Sequence, residues 1–312
     1  MPNHWIILLC ACFLDAAFGY PHWLYARIRH PVVWMGKGIT VLDRNFNRRQ
    51  FSENLRRALG VLAIVILPAM TLAIALIIHL IGNGLLEILV ISTLLAQRSL
   101  YDHVHEVYAA IEQHDLVAAR ERVSRIVGRD ITALDEAGVC RAAIESLAES
   151  FSDGVVAPIF WAACFGLPGI ACYKALNTAD SMIGHKDEHY RAFGWAAARA
   201  DDIANLIPAR LSGLLIVLAA HSCAAWRVMW RDAHKHASPN AGWPEAAMAG
   251  ALGIRLGGPR NYDGVEHPAP FIGGGLCDAT KEQLRMALRL YVSACAALWL
   301  MLALAWLGTS IV

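Results

Sequence analysis

The chain has 312 residues, 57% hydrophobic and 17% charged, against the roughly 45–50% apolar and 25% charged usage of soluble domains. That balance, with a mean hydropathy of +0.42, places it in a membrane. A formal net charge of +1 provides no broad basic field, so nucleic acid is not an expected partner.

Apolar stretches fall near 5–18, 58–81, 84–97, 154–176, 205–226 and 285–308. Only some reach the roughly 20 residues that cross a bilayer. The first, within "NHWIILLCACFLDAAFG", lacks a basic leader and carries Asp15 and Gly19, so it reads as a retained short helix rather than a signal peptide. The polar segment from Tyr20 to Arg57 holds Arg27, Arg29, Lys37, Arg44, Arg48, Arg49, Arg56 and Arg57, which by the positive-inside tendency places it in the cytoplasm. Residues 98–153 read as amphipathic helices. "LYDHVHEVYAAIEQHDLVAARERVSRIVG" has apolar residues at helical spacing and a charged opposite face. The 154–176 stretch is interrupted by Gly166, Pro168 and Gly169 and is the candidate for a broken or re-entrant segment, tolerated at membrane depth only inside protein or beside water. A Gly- and Pro-rich segment runs from Arg227 to Thr280. The expected fold is an all-α polytopic membrane protein, one integral-membrane catalytic domain over 1–312, with cytoplasm-facing amphipathic helices and at least one broken helix. Eight cysteines without a CxxC pair or zinc-ligand spacing read as reduced packing residues.

Four clusters carry chemistry. In "RAAIESLAESFSDG", Glu145, Glu149 and Asp153 are four apart and stack three carboxylates on one helical face; they call for a cation, the plain alternative being a solvated acidic stripe. In "KALNTADSMIG", Lys174, Asn177, Asp180 and Ser181 share a face. Asp and Asn one turn apart are oxygen ligands suited to Mg²⁺, which keeps several waters and borrows phosphate oxygens. Polar clusters at membrane helix ends are functional by default, although a helix end emerging into water is the simpler reading. Next, Arg199, Asp201, Asp202, Asn205 and Arg210 alternate carboxylates with guanidiniums, a pattern for metal plus anion or for local ion pairs. Finally, Ser238, Pro239 and Asn240 precede a helix beginning near Pro244, and Arg255, Gly257, Gly258, Pro259, Asn261 and Tyr262 follow it. A helix start offers free N–H groups to anions, and a Gly-Gly turn admits close approach of a ligand to backbone. No Walker A loop occurs, so any nucleotide is held by another device. His103, His105, His234 and His236 read as surface or core residues.

These motifs together resemble the adenosylcobinamide-phosphate synthase family of cobalamin biosynthesis, CobD/CbiB. The resemblance spans nearly the whole chain and rests on "LDAAFGYPHWLYARIRHPVVWMGKGI", "LDEAGVCRAAIESLAESFSDGVVAPIFW", "YKALNTADSMIGHKDEHYRAFGWAAARADDIANLIPARL" and "SPNAGWPEAAMAGALGIRLGGPRNYDG". The chain departs from the family's usual E-N-x-x-D-G at Glu149-Ser150-Phe151-Ser152-Asp153-Gly154, has Tyr20 where an Asp commonly precedes the Pro, and has Arg260 where Asn is common.

The resemblance implies a bacterial inner-membrane ligase, its site facing the cytoplasm. It would join the propionate of adenosylcobyric acid to an aminopropanol, usually as its phosphate, using ATP and Mg²⁺, with membrane lipid around it and a soluble pathway protein as a possible partner. On that reading Glu149, Asp153, Asp180 and Asp201, with Glu145 extending the set, hold Mg²⁺-nucleotide, and Asn177 and Ser181 complete the shell. Lys174, Arg199 and Arg210 meet phosphate or carboxylate. The Ser238–Asn240 loop and the stretch carrying Arg255, Gly257, Gly258, Asn261 and Tyr262 frame nucleotide or amino-alcohol phosphate. Two other classes fit parts of the pattern: a sensor-like relative linked to β-lactamase induction, and a transporter with broken helices, which should show an internal repeat where none is visible.

Overall fold

The computed structural model describes residues 4–128, 131, 134–262, 265–267, 269–275 and 278–311. In chain order its helices are α1 (His4–Phe18), α2 (His22–Arg27), α3 (Pro31–Phe46), α4 (Glu53–Ile81), α5 (Gly84–Leu94), α6 (Gln97–Glu112), α7 (Leu116–Ser124) and α8 (Glu136–Phe151). A π-turn over Ser152–Val156 leads into α9 (Ala157–Ile183), followed by α10 (Trp195–Ala204), α11 (Leu206–Ala220), α12 (Cys223–Asp232), α13 (Gly242–Leu252) and α14 (Lys281–Ile311). Two short antiparallel strand pairs complete the described chain: β1 (Leu256–Gly257) with β4 (Phe271–Ile272), and β2 (Arg260–Tyr262) with β3 (Val265–His267).

The helix starts follow local chemistry. Ser52 accepts a bond from the Leu55 N–H at the head of α4, Asn83 does the same for Leu86 at α5, and Asp135 for Gly138 at α8. Each side-chain oxygen satisfies a donor that the first turn leaves without a helical partner.

Among the described residues four helical stretches are long and apolar enough to cross a membrane: Glu53–Ile81, Gly84–Glu112, Glu136–Ile183 and Lys281–Thr309. The count becomes five if the bent pair α10 and α11 is one broken span. Helix α4 leaves Val65 at 60%, Ile74 at 56% and Leu80 at 79% exposed, an apolar surface that requires lipid rather than water around it. This is a multi-pass helical membrane protein. Two expectations change in detail. Helix α5 alone has 11 residues and reaches spanning length only together with α6, so the polar 98–153 segment begins inside a candidate span. The 205–226 stretch is likewise preceded by α10, whose charged residues hide it from an apolar scan.

By its internal contacts the chain forms two compact units. One comprises Met1–Ala96, Ala157–Asn205 and Ala305–Val312; the other Gln97–Val156 and Leu206–Leu304. In the first, Ile39, Ala63, Leu67, Ala175, Ala179, Ile183, Phe193 and Ala197 form one buried cluster. Alanines on α4, α9 and α10 let the helices approach closely, as small residues do in membrane bundles. With Ala175 and Ala179 committed to that core, helical spacing leaves Lys174, Asn177 and Ser181 on the other side of α9.

The break expected in 154–176 is present. Gly166 has φ 66°, ψ −152°, a conformation essentially restricted to glycine, and Pro168 two residues on has no N–H to donate. His4 Nε2 lies 3.1 Å from the Ala163 carbonyl oxygen, supplying a partner to backbone beside the break. Gly166→Ala is therefore expected to cost about 1–3 kcal/mol of stability, read as a lower thermal midpoint in detergent than wild type, whereas Gly128→Ala, at a site with open space around it, leaves the midpoint in place.

Candidate functional site

In the first unit, α9 and α10 join the sequence's polar clusters into one chain of hydrogen bonds. Tyr173 Oη donates to Asn205 Oδ1 (3.0 Å), Asn205 Nδ2 donates to Asp201 Oδ2 (2.9 Å), and Asn177 Nδ2 donates to Asp201 Oδ1 (3.3 Å). Lys174 Nζ in turn donates to Asn177 Oδ1 (3.4 Å). Asp201 and Asn205 are buried, and both carboxylate oxygens of Asp201 are met by amides rather than by a cation. Asp180 is close enough to act on Asp201 electrostatically. A methyl at Gly184 would stand 1.9 Å from Asp180 Oδ1, so the final glycine of "KALNTADSMIG" makes room for that carboxylate.

The N-terminal motif reaches the same end of α9. His30 caps α3 by accepting from the Val32 N–H, and burial followed by the nearby Lys174 ammonium holds its imidazole below the ordinary value. Two expected members point elsewhere: Ser181 Oγ donates to the Asn177 carbonyl (2.9 Å), and Arg199 pairs with Asp202 (3.4 Å) at an exposed edge.

In the second unit the acidic stripe is not uniform. Glu145 is buried and its Oε1 accepts the Gly257 N–H at 2.6 Å, whereas Glu149 is exposed and Asp153 is half-buried. Asp153 lies just past the end of α8, in a π-turn over 152–156 with five-residue hydrogen-bond spacing, a feature frequent at functional sites.

The Glu145 bond joins two motifs 112 positions apart, anchoring the Gly-Gly turn whose φ values of +73° and +85° suit glycine. Beside it the Arg255 guanidinium lies 5.1 Å from the Phe271 ring centre and 3.8 Å from Asp278. Arg141, one turn before Glu145 on α8, reaches the same Asp278 oxygen at 3.3 Å. Arg141 was not among the expected residues; its spacing to Glu145 was the available signal.

Arg210 stacks over the Trp243 ring at 4.6 Å and donates to the Leu206 carbonyl. Ser238 Oγ accepts from the N–H groups of Asn240 and Ala241, so this loop turns its own oxygen on the start of α13, where Glu245 is also buried. The side chains of Asn261 and Tyr262, and Cys277, lie outside the described residues. No group of three or more His, Cys, Asp or Glu is placed to hold a metal ion by itself among the described residues. The seven described cysteines are free thiols.

Asp232 is another residue the sequence did not single out. Its side chain is fully buried, accepting from Arg231 (2.7 Å), Lys235 (2.7 Å) and the Gly273 N–H (2.9 Å). It fastens α12 to the chain after β4.

These features define a polytopic helical membrane protein with a polar network built around a buried carboxylate. A family model described as CobD/Cbib protein matches residues 8–291. A Rhizobium meliloti (strain 1021) protein named "Cobalamin biosynthesis protein CobD" is 48% identical over 305 residues, 93% of each chain. Proteins of the same name from Rhodobacter capsulatus (48% over 308 residues, 97% of each) and Brucella suis (46% over 302 residues, 92% of each) are similarly alike. No solved structure matches. The chain belongs to the CobD/CbiB family.

Asp232 yields a pH prediction. The Arg231 hydrogen bond, against burial and with help from Lys235 and the Gly273 amide, holds its carboxyl well below the ordinary value. A depressed folded-state value means stability present above the unfolded carboxyl range, near pH 4, and lost as pH falls below it. Unfolding followed by tryptophan fluorescence from pH 6 to about pH 2 is expected to show a shallower acid slope in Asp232→Asn than in wild type, from a lower starting stability.

Proposed function

We propose that this protein is an adenosylcobinamide-phosphate synthase of a bacterial inner membrane. It forms an amide between the propionate of adenosylcobyric acid and (R)-1-amino-2-propanol O-phosphate or a related amino alcohol, using ATP and Mg²⁺ at a site facing the cytoplasm. Family membership and the names of the relatives support the pathway, and the multi-pass fold supports the setting. The observation that carries the chemistry is the Lys174–Asn177–Asp201–Asn205–Tyr173 network with Asp180 beside it.

A carboxylate is a poor electrophile. The propionate oxygen attacks the γ-phosphorus of ATP, the bond to the β,γ-bridging oxygen breaks, and ADP leaves an acyl phosphate. The amine nitrogen then attacks the acyl carbon. Phosphate departs with the C–O bond pair and the nitrogen loses a proton, giving the amide. When bound, Mg²⁺ would neutralise charge on the transferred phosphoryl group.

The donor set fits such an ion. Mg²⁺ takes one or two carboxylates plus phosphate oxygens and water, so the Asp180 and Asp201 carboxylates would hold it without a cage of three or more protein ligands, none of which occurs among the described residues. Asn177 and Asn205 hold the Asp201 oxygens in place, and Tyr173 fixes the Asn205 amide. Lys174, one helical turn from Asn177, supplies a positive charge for an anionic substrate group. In the second unit, taken by itself, Arg141 and Arg255 supply guanidiniums suited to phosphate or carboxylate, and Glu145 holds the Gly257 backbone beside them. Glu149 and Asp153 are the candidate acidic groups of that second unit.

Purified protein in nanodiscs with adenosylcobyric acid, aminopropanol phosphate, ATP and Mg²⁺ is expected to release one ADP per amide formed, read by mass spectrometry. Asp180→Ala and Asp201→Asn are each expected to lower turnover by on the order of 10²-fold. ADP-independent corrinoid binding without product would refute the ligase.

A further inference from the structure

The second unit carries a cavity that the ligase reading leaves unused. It has a volume of about 580 Å³ and lies between α6 and α14, lined by Tyr101, His105, Tyr108, Arg285, Arg289 and Val292 among others. On α6 the three rings occupy positions i, i+4 and i+7, one helical face. They follow one another as a wall: Tyr101 and His105 stack with centroids 5.6 Å apart and planes at 17°, and His105 and Tyr108 are 6.0 Å apart at 45°. On α14, Arg285 and Arg289 are one turn apart on the face that looks into the same space.

Arg98, Arg122 and Arg125 of the same unit each hold a carboxylate. Their partners, Asp102, Glu106 and Glu121, are thereby engaged. Glu112 accepts from Tyr108 Oη at 2.8 Å, and Glu282, one turn before Arg285, acts on it electrostatically, so these carboxylates share the arginines' field without bonding them. Neither Arg285 nor Arg289 forms an ion pair among the described residues. Both arginines are exposed on the first turns of α14, ahead of the uncharged run that begins at Leu290. Arginines at the end of a span stand at headgroup level, where phosphate oxygens are within reach.

We propose that this cavity is a binding site for a phosphate group, held by Arg285 and Arg289 against the Tyr101–His105–Tyr108 wall. Two guanidiniums one turn apart present several donors to the oxygens of one phosphate, and the rings cover its organic substituent. The volume falls in the range of small-ligand sites and exceeds one bare phosphate. A phospholipid headgroup and a soluble phosphate compound share this chemistry. The site's occupancy does not depend on the ligase reading, and its test uses no turnover.

The full-length protein is placed in phosphatidylcholine nanodiscs with or without phosphatidylglycerol. Native mass spectrometry counts retained phosphatidylglycerol, and ³¹P line broadening follows inorganic phosphate in discs of phosphatidylcholine alone. Wild type is expected to bind one of the two probes, with affinity falling on the order of 10-fold or more in Arg285→Gln/Arg289→Gln. Retained phosphatidylglycerol identifies a lipid headgroup; broadening of phosphate identifies a soluble ligand. Should the double variant fail to fold, Arg285→Lys/Arg289→Lys keeps the charge, loses the planar fork, and is expected to show an intermediate loss. Absence of both probes from wild type, or equal binding by wild type and a folded variant, would overturn the proposal.

Discussion

A carboxylate inside an apolar helix bundle is tolerated only if its oxygens are met. Asp201 satisfies that requirement with two amides, Asn177 from α9 and Asn205 from the end of α10. Much of the first unit's local architecture serves this bond set. Alanines at 175, 179 and 197 draw the helices together, Tyr173 locks the Asn205 amide, and Gly184 clears space for Asp180. Among the described residues both Asp201 oxygens are met by amides and no ion pair is made to it, with Asp180 acting on it electrostatically. That combination is suited to a site whose cation arrives with its ligand.

The second unit meets a related constraint with backbone. Glu145 is buried and accepts from Gly257, which fastens a positive-φ turn beside two arginines that share one exposed aspartate. Asp232 does the same for the chain near Gly273. In both cases a buried carboxylate takes a backbone N–H from a Gly-rich segment, converting an irregular stretch into a positioned one.

How much of this was legible follows from the range of each interaction. Apolar length gave α4 and α14, and Gly166 with Pro168 gave the break in α9, because these are local signals. Helical spacing grouped Lys174 with Asn177, and the structure keeps them together. Spacing did not reveal that Asp153 falls in a π-turn at 152–156, because no periodicity announces one. Helix α10 escaped notice because Arg199, Asp201 and Asp202 break its apolar run. The roles of Arg141 and Glu145 depend on partners more than 100 residues away, beyond the reach of pattern reading.

The central claim is that the Asp201 network receives a divalent cation together with phosphate. Electron paramagnetic resonance of Mn²⁺, an oxygen-preferring stand-in for Mg²⁺, tests it directly in the presence and absence of ADP. Wild type should bind Mn²⁺ much more tightly with ADP than without, and Asp201→Asn should abolish that gain. Binding that is indifferent to ADP, or unchanged in a folded Asp201→Asn protein, would contradict the account.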